Sequence, residues 1–260
     1  MRKVLTIAGS DCSGGAGIQA DIKTITAHKM YAMSAITALT AQNTTGVYGV
    51  MDVPPEFVAQ QLDCIFTDIF PDSVKIGMVS NVKIIEVIVQ KLIEYSAKNI
   101  VVDPVMIATS GSKLINDIAI GTLISKLVPL ADIITPNIPE AEYISGLKIE
   151  TTTDMIRAAE KISKNYDGYV LIKGGHLSGK ADDLLYHQGD MTWYSEDKIN
   201  TENTHGTGCT LSSAIACSLA DDLDMKTSVR NAKRFVTGAL AAGLDLGKGC
   251  GPLDHCYNIK

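Results

Sequence analysis

The stretch KVLTIAGSDCSGGAGIQADIKTITAH, residues 3–28, decides the fold class of this chain. Lys3 to Ala8 is typical of a buried strand, Gly9 to Gly17 is a glycine-rich loop, and a helix is predicted near Ile18 to His28. A strand followed by a helix is the unit from which parallel sheets are built. The stretch therefore predicts one βα unit at the start of the chain.

The same alternation continues along most of the sequence. Strands are predicted at residues 31–41, 73–79, 100–105, 132–135 and 169–174, and helices at 54–69, 82–97, 117–130, 138–145, 152–165, 207–220 and 226–243. Residues 182–199 interrupt it as two strand-like segments around the turn Gln188-Gly189-Asp190, which predicts a hairpin at a sheet edge. We therefore expect an α/β fold, a three-layer α/β/α sandwich with a mostly parallel central sheet and an antiparallel edge hairpin, in a single domain spanning residues 1–260.

Composition excludes several classes of protein. The net charge is −6 and no run of Lys and Arg occurs, so nucleic acid is not an expected partner. The six cysteines include no CxxC pair, which indicates neither a zinc site nor a redox motif. The apolar stretch Val4 to Ala8 is too short for a signal-peptide core, and no segment reaches the length of a membrane span. We expect a cytoplasmic protein without a membrane partner.

The segment His205-Gly206-Thr207-Gly208-Cys209-Thr210 opens a helical pattern in which Leu211, Ile215 and Leu219 recur every four residues. First-turn amides have no partner within a helix, and glycines let a phosphate approach them. The same turn should favour the thiolate of Cys209, a candidate proton acceptor or nucleophile. A tight turn with a small buried cysteine explains this segment equally well on its own.

Polar residues and glycines follow six predicted strands, at the edge where ligands bind in open α/β sheets. They are Gly9-Ser10-Asp11, Gln42-Asn43, Gly77-Met78, Asp103-Pro104, Thr135-Pro136-Asn137 and Lys173-Gly174-Gly175. Asp103, Asn137 and Glu140 carry the oxygen ligands that Mg²⁺ prefers, although Asn137 and Glu140 also fit a helix cap. Lys173 is a candidate contact to a phosphate.

Two common nucleotide-binding fingerprints are not satisfied. Residues 15–20 match GxGxxA, but residues 40–45 contain no acid to hold the ribose of NAD. No GxxxxGK[ST] motif occurs, which excludes a P-loop protein. A dehydrogenase and a P-loop enzyme are therefore not favoured.

A series of segments, taken together, resembles the bacterial hydroxymethylpyrimidine and phosphomethylpyrimidine kinases, which have the ribokinase-like fold. The segments are residues 9–11, 13–24, 37–44, 75–78, 103–106, 135–141, 173–176 and 205–210, and the match runs in order from residue 4 to about 255. The resemblance implies ATP-dependent phosphorylation of 4-amino-5-hydroxymethyl-2-methylpyrimidine, and then of its monophosphate, to the diphosphate used for thiamine. It implies ATP and Mg²⁺ as cofactors and, by analogy with the fold, a homodimer.

The resemblance also implies which residues do the chemistry. It assigns the anion hole over the transferring phosphate to Gly206, Thr207, Gly208 and Cys209, with Cys209 accepting the proton of the substrate hydroxyl. It assigns Lys173 and Asn137 to the nucleotide, and Asp103 and Glu140 to Mg²⁺ and its waters. Phosphoryl transfer needs positioning and charge neutralisation, which these groups supply.

For the pyrimidine, the resemblance points to Gly9, Asp21, Gln42, Met78 and Val105. Asp21 and Gln42 would hydrogen-bond the ring nitrogens and the exocyclic amine, while Met78 is also consistent with simple core filling. In the tail, Lys248 and Cys250 stand where the family is expected to have histidines, and no role is assigned there.

Three alternative functions stay open. A pyridoxal kinase of the same subfamily shares the thiol in its anion hole, but Ala41-Gln42-Asn43 is the pattern of the pyrimidine enzymes. The other two are a non-catalytic binder of nucleotides or pyrimidines and a hydrolase with Cys209 as its nucleophile.

Overall fold

The computed structural model describes residues 1–106, 115–174 and 181–259. Its strands are β1 (Lys3–Asp11), β2 (Tyr31–Asn43), β3 (Gly46–Asp52), β4 (Ser73–Ile76), β5 (Ile100–Val102), β6 (Ile133–Ile134), β7 (Tyr169–Ile172), β8 (Ala181–His187) and β9 (Asp190–Glu196). Its helices are α1 (Gly17–Ala27), α2 (Pro55–Asp68), α3 (Val82–Glu94), α4 (Asp117–Thr122), α5 (Ile138–Ser145), α6 (Thr152–Ser163), α7 (Thr207–Ala220) and α8 (Met225–Ala241). The motif residues Gly175 and His176 lie outside the described ranges.

The described strands form one sheet in the order β3-β2-β1-β4-β5-β6-β7-β8-β9. The six strands from β2 to β7 in this order pair in parallel. The hairpin β8–β9 adds antiparallel strands at one edge, which confirms that prediction. At the other edge, β3 pairs antiparallel to β2, and the sequence analysis did not predict this strand.

Helices cover both faces of the sheet, which confirms the three layers. Alternate strand residues point to opposite faces, so Leu5 and Ile7 pack with α2 to α6, whereas Val4 packs with α1, α7 and α8. The helical stretch predicted at 117–130 is present, but α4 gives way to a π-helical turn at Leu123–Leu127 and a 3₁₀ turn at Val128–Leu130. Within the described ranges, none of the helices is long and apolar enough to cross a bilayer.

Candidate active site

The carboxyl ends of the central strands meet the first turn of α7. Lys173, after β7, donates from Nζ to Oδ1 of Asp103, after β5, over 2.8 Å. A methyl group on Gly208 would lie 3.2 Å from Oδ2 of Asp103 and 3.3 Å from Nζ of Lys173. The structure thus brings Gly208, Asp103 and Lys173 together, as the sequence predicts, and a side chain at position 208 would displace Asp103 or Lys173.

Gly206, the N-cap of α7, has a backbone conformation that favours glycine. Gly206 has φ +83°, and a methyl group there would lie 1.9 Å from the carbonyl oxygen of Gly15. The described residues provide no acceptor for the backbone amides of Gly208 and Cys209. Because these amides stand at the positive end of α7, this turn can bind an anion.

Asp11, at the end of β1, holds the glycine-rich loop against this turn. Its buried carboxylate accepts hydrogen bonds from the amides of Ser13, Gly15 and Ala16 over 2.8 to 3.1 Å, and from Nε2 of His205 over 2.9 Å. Burial opposes the charge, but the bonds from His205, Ser13 and Ala16 prevail and lower the pKa of Asp11 to about 2. The sequence analysis gave Asp11 and His205 no such role.

Cys209 lies partly exposed in the first turn of α7. The expectation that this turn favours its thiolate is not met. Desolvation raises the pKa of Cys209 to about 11, with contributions from the negative charges of Asp21 and Asp103, although Lys75 and the backbone of Gly17 act in the opposite direction. The thiol is therefore the resting form, because desolvation outweighs the charge of Lys75.

Asn137 and Glu140 form the capping box of α5 that the sequence left as an alternative. The side chain of Asn137 accepts from the Glu140 amide over 2.9 Å, and the Glu140 carboxylate accepts from the Asn137 amide over 2.8 Å. Glu140 is nevertheless a candidate ligand. Burial and the nearby Asp103 raise the pKa of its carboxyl to about 7, although Lys173 lowers it. A cation beside this carboxylate would therefore offset the cost of its charge.

The charges around Asp103 test whether this site suits a divalent cation. Asp103 and Glu140 are buried carboxylates, and the charge of Asp103 opposes ionisation of Glu140 while the ammonium group of Lys173 favours it. The described residues contain no group of three ligating side chains. Two carboxylates with phosphates and waters are what Mg²⁺ takes in such sites, so the residues fit.

Four of the five residues proposed for the pyrimidine lie at the same edge of the sheet, and the fifth, Asp21, lies apart from them. Gly9 and Met78 contact each other, since a methyl group on Gly9 would lie 3.3 Å from the sulfur of Met78. Gln42, near the end of β2, donates from Nε2 to Oγ1 of Thr40 over 2.7 Å and is partly exposed. Val105 is partly exposed after β5. Gly9, Met78, Val105 and Gln42 all follow or end neighbouring strands on the same side of the sheet.

Asp21 does not belong with them. Its carboxylate is fully buried and accepts from Lys75 Nζ over 2.8 and 2.9 Å, from Thr6 Oγ1 over 2.6 Å and from Ser213 Oγ over 2.8 Å. All of its hydrogen-bonding capacity is used within the protein, so the structure corrects the prediction that Asp21 contacts the substrate.

The glycine-rich tail after α8 returns to the site. The amides of Lys248 and Gly249 donate to Oγ1 of Thr44 over 3.1 and 3.2 Å. The buried ring of His255 lies with Nε2 2.9 Å from Oγ1 of Thr210, and burial lowers its pKa to about 4. The tail therefore joins the end of β2 to α7.

Comparison with known proteins gives one consistent family. The family model described as phosphomethylpyrimidine kinase matches residues 11–254. A hydroxymethylpyrimidine/phosphomethylpyrimidine kinase of Streptomyces coelicolor is 43% identical over 98% of this chain and 95% of its own length. A thiamine biosynthesis bifunctional protein of Geobacter sulfurreducens is 47% identical over 97% of this chain, which spans only 52% of that relative.

Solved structures confirm the fold. A phosphomethylpyrimidine kinase from Clostridium difficile is 48% identical with a TM-score of 0.83, covering 92% of this chain and all of that one. An ADP complex of Bacillus subtilis pyridoxal kinase is 38% identical with a TM-score of 0.91, covering 99% of this chain and 98% of that one. The ribokinase-like α/β sandwich is thus confirmed, and the chain belongs to the phosphomethylpyrimidine kinase family.

Proposed function

We propose that this chain transfers phosphate from ATP to 4-amino-5-hydroxymethyl-2-methylpyrimidine and then to its monophosphate, giving the diphosphate for thiamine biosynthesis. The observation that carries the proposal is the turn Gly206–Cys209, in which Gly208 lies next to the Lys173–Asp103 pair. Family membership supports it. One continuous sheet contains all the described strands, so we also propose a single kinase domain. We propose that it is located in the cytoplasm.

In the proposed reaction, the substrate oxygen forms a bond to the γ-phosphorus of ATP, the bond to the leaving ADP oxygen breaks, and the hydroxyl proton passes to Cys209 in its thiolate form, which becomes the thiol. The amides of Gly208 and Cys209 bind the equatorial oxygens of the transferring group, with Thr207 in the same turn. Lys173 and the adjacent Asn137 face the nucleotide phosphates. Mg²⁺, held by Asp103 and Glu140, would supply further neutralisation of phosphate charge.

The pyrimidine is proposed to lie between Gln42 and the apolar surface of Gly9, Met78 and Val105. The amide of Gln42 presents both a donor and an acceptor, which match the amine and a ring nitrogen of an aminopyrimidine. A site that supplies such partners rejects analogues that leave them unpaired.

A parallel assay tests this function. Pyrimidine, pyrimidine monophosphate and pyridoxal are each offered with ATP, with and without Mg²⁺, and ADP release is measured. We expect Mg²⁺-dependent turnover of both pyrimidines, and faster turnover of the pyrimidine alcohol than of pyridoxal. No transfer to either pyrimidine would refute the proposal.

Pyridoxal kinase is the second candidate, because the fold superposes on pyridoxal kinases such as that of Bacillus subtilis. Preference for pyridoxal in the same assay would select it. ATP binding without turnover would instead indicate a binder, and a covalent adduct on Cys209 formed without ATP would indicate a hydrolase.

We also propose a homodimer formed through the edge of the sheet at β3. This strand carries apolar side chains that are exposed on both of its faces, Tyr48, Val50 and Met51, and its outer edge has unpaired backbone groups. A second copy related by a two-fold axis would cover both, because such an interface brings the same edge and the same apolar surface of the two copies together.

A further inference from the structure

Lys75, a buried lysine near α7, has no part in the function proposed above. Lys75 lies on β4, and its exposed fraction, like that of Asp21 on α1, is 0%. Its Nζ donates to both carboxylate oxygens of Asp21, over 2.9 and 2.8 Å. Burial disfavours the charge of Lys75, but the charge of Asp21 prevails and raises its pKa above the ordinary value. The lysine is therefore a permanent buried cation.

The pair is fixed from several directions. Thr6 of β1 and Ser213 of α7 donate to opposite oxygens of Asp21, over 2.6 and 2.8 Å. A methyl group on Gly77 would lie only 2.7 Å from Nζ of Lys75, so the ammonium group fits closely under the backbone. Four elements, β1, β4, α1 and α7, thus meet at one ion pair.

This ion pair is one helical turn below Cys209. Gly17 and Asp21 are four residues apart on α1, and Cys209 and Ser213 are four residues apart on α7, so each pair lies on one face of its helix. Ser213 of α7 donates to Asp21 of α1 over 2.8 Å, which joins the two helices one turn away from Cys209.

The charges facing Cys209 come from four elements. Lys75 is the charge that most lowers the pKa of Cys209, against the larger effect of burial, while Asp21 of α1 and Asp103 after β5 raise it. Lys173, after β7, also interacts with the sulfur. Lys173 is engaged by Asp103 and lies where the nucleotide is proposed to bind, whereas Lys75 is shielded from both solvent and ligand.

We propose that Lys75 is a positioning residue for Cys209: through Asp21 and Ser213 it holds α7 one turn beyond Cys209, and its buried positive charge stabilises the sulfur when the sulfur carries negative charge. The catalytic part of this inference rests on the function proposed above. The effect on the sulfur itself can be measured without any phosphate transfer.

Alkylation of Cys209 by iodoacetamide across a pH series, followed by mass spectrometry of its peptide, measures thiolate formation. In the full chain carrying Lys75→Met, we expect Cys209 to react about tenfold more slowly at a fixed, mildly alkaline pH, with its titration displaced upward. The double variant Lys75→Met/Asp21→Asn removes both charges and leaves no unpaired buried ion, so we expect it to fold more readily than the single variant. Cys209 should still react severalfold more slowly in it, since the effect of Lys75 exceeds that of Asp21.

The matched control is the other buried lysine–aspartate pair, Lys233 of α8 with Asp183 of β8, whose Nζ and Oδ2 lie 2.5 Å apart. Lys233→Met/Asp183→Asn removes a second buried pair, whose charges are not among those that mainly shift the pKa of Cys209, and alkylation of Cys209 should keep its wild-type pH dependence. Circular dichroism establishes which variants fold.

The inference is overturned if Cys209 of folded Lys75→Met is alkylated at the wild-type rate. If the single variant does not fold, the same rate in the double variant overturns it. An equal slowing in the control pair overturns it too, because general loosening would then be the cause. Wild-type chain that transfers no phosphate but shows the Lys75 effect refutes the kinase proposal and leaves the influence of Lys75 on the sulfur intact.

Discussion

At the scale of single residues, the chemistry centres on a sulfur atom that holds its proton at rest. Because the pKa of Cys209 is raised to about 11, only a small fraction is thiolate near neutrality. In phosphoryl transfer the attacking hydroxyl loses its proton late, after the bond to the leaving oxygen has loosened. Only the thiolate fraction of Cys209 can accept that proton, so the rate should follow the size of this fraction.

Replacement of this group gives the first prediction. Cys209→Ala should lower kcat at least about a hundredfold, because a positioned proton acceptor contributes on that scale. The dissociation constant of ATP, measured by calorimetry, should change little. In the wild type, kcat should increase with pH through the mildly alkaline range, as the thiolate fraction grows toward the pKa of about 11. Cys209→Ala should lack this increase, and a wild-type rate that is flat over the same range would contradict the assignment.

The second prediction concerns the glycines of the anion-binding turn. Gly208→Ala places a methyl group 3.2 Å from Asp103 Oδ2 and 3.3 Å from Lys173 Nζ, so we expect a clear loss of kcat in a folded protein. Gly206→Ala should also lose thermal stability, since its φ of +83° is unfavourable for alanine.

Gly121→Ala is the matched control for both, because nothing lies within 4 Å of a methyl group on this glycine of α4. Alanine there should raise the melting temperature slightly through its higher helix propensity. Steady-state kinetics and thermal melts of the three variants decide the matter, and a fully active Gly208→Ala would show that the phosphate binds elsewhere.

At the scale of elements, the loop between β1 and α1 owes its shape to one carboxylate. Asp11 ties three loop amides to the residue that precedes α7. Its pKa falls from 3.8 to about 2 on folding, which corresponds to about 2 kcal/mol. Since the folded pKa is the lower one, this stability is present above pH 3.8 and is lost as the pH falls toward 2.

The third prediction follows from this linkage. Asp11→Asn should lower the free energy of unfolding at neutral pH by about 2 kcal/mol, and the difference from wild type should shrink as the pH falls toward 2. Urea unfolding at several pH values measures both. Asp68→Asn, at an exposed position near the end of α2, should leave the acid dependence unchanged. An Asp11→Asn protein with the same deficit at every pH would show that shape rather than charge holds the loop.

The elements were predictable where burial imposes a period. Strands buried on both faces and helices with one apolar face give clear patterns, so their order along the chain was predicted correctly. β3 was not, because Gly46–Asp52 has no buried face and therefore no alternation of apolar and polar residues. The role of Asp11 had a local signal, since the Asp11-Cys12-Ser13 spacing suits a side-chain turn to the Ser13 amide.

The ion pair of Lys75 had no such signal. A lysine within a strand is ordinarily solvated at its end, and the partner carboxylate, Asp21, lies 54 residues away on another element. For the same reason the family resemblance placed Asp21 at the substrate, and the helix pattern predicted an acidic Cys209. Pairing and desolvation depend on the assembled interior and not on local pattern.

At the scale of the whole molecule, the fourth prediction concerns assembly through β3. Met51 is 61% exposed on this edge strand, and a charge there would face the identical surface of a second copy. Met51→Asp should shift the protein from dimer toward monomer in light scattering across a dilution series. Ile118→Asp, on α4 with 77% of Ile118 exposed, should leave the mass unchanged. A wild type that stays monomeric at high concentration would contradict the dimer.

Residues that are far apart in the sequence come together around the candidate active site. Asp11 bonds His205 across 194 positions, and Thr44 bonds Lys248 across 204. Contacts so far apart in sequence form slowly, after the more local units have been built. During synthesis, a ribosome-bound chain that has emerged only as far as the β8–β9 hairpin already holds Asp103 and Lys173 but lacks the turn proposed to bind phosphate. Competence for catalysis therefore requires α7 to have been made, and chains terminated before it should be inert.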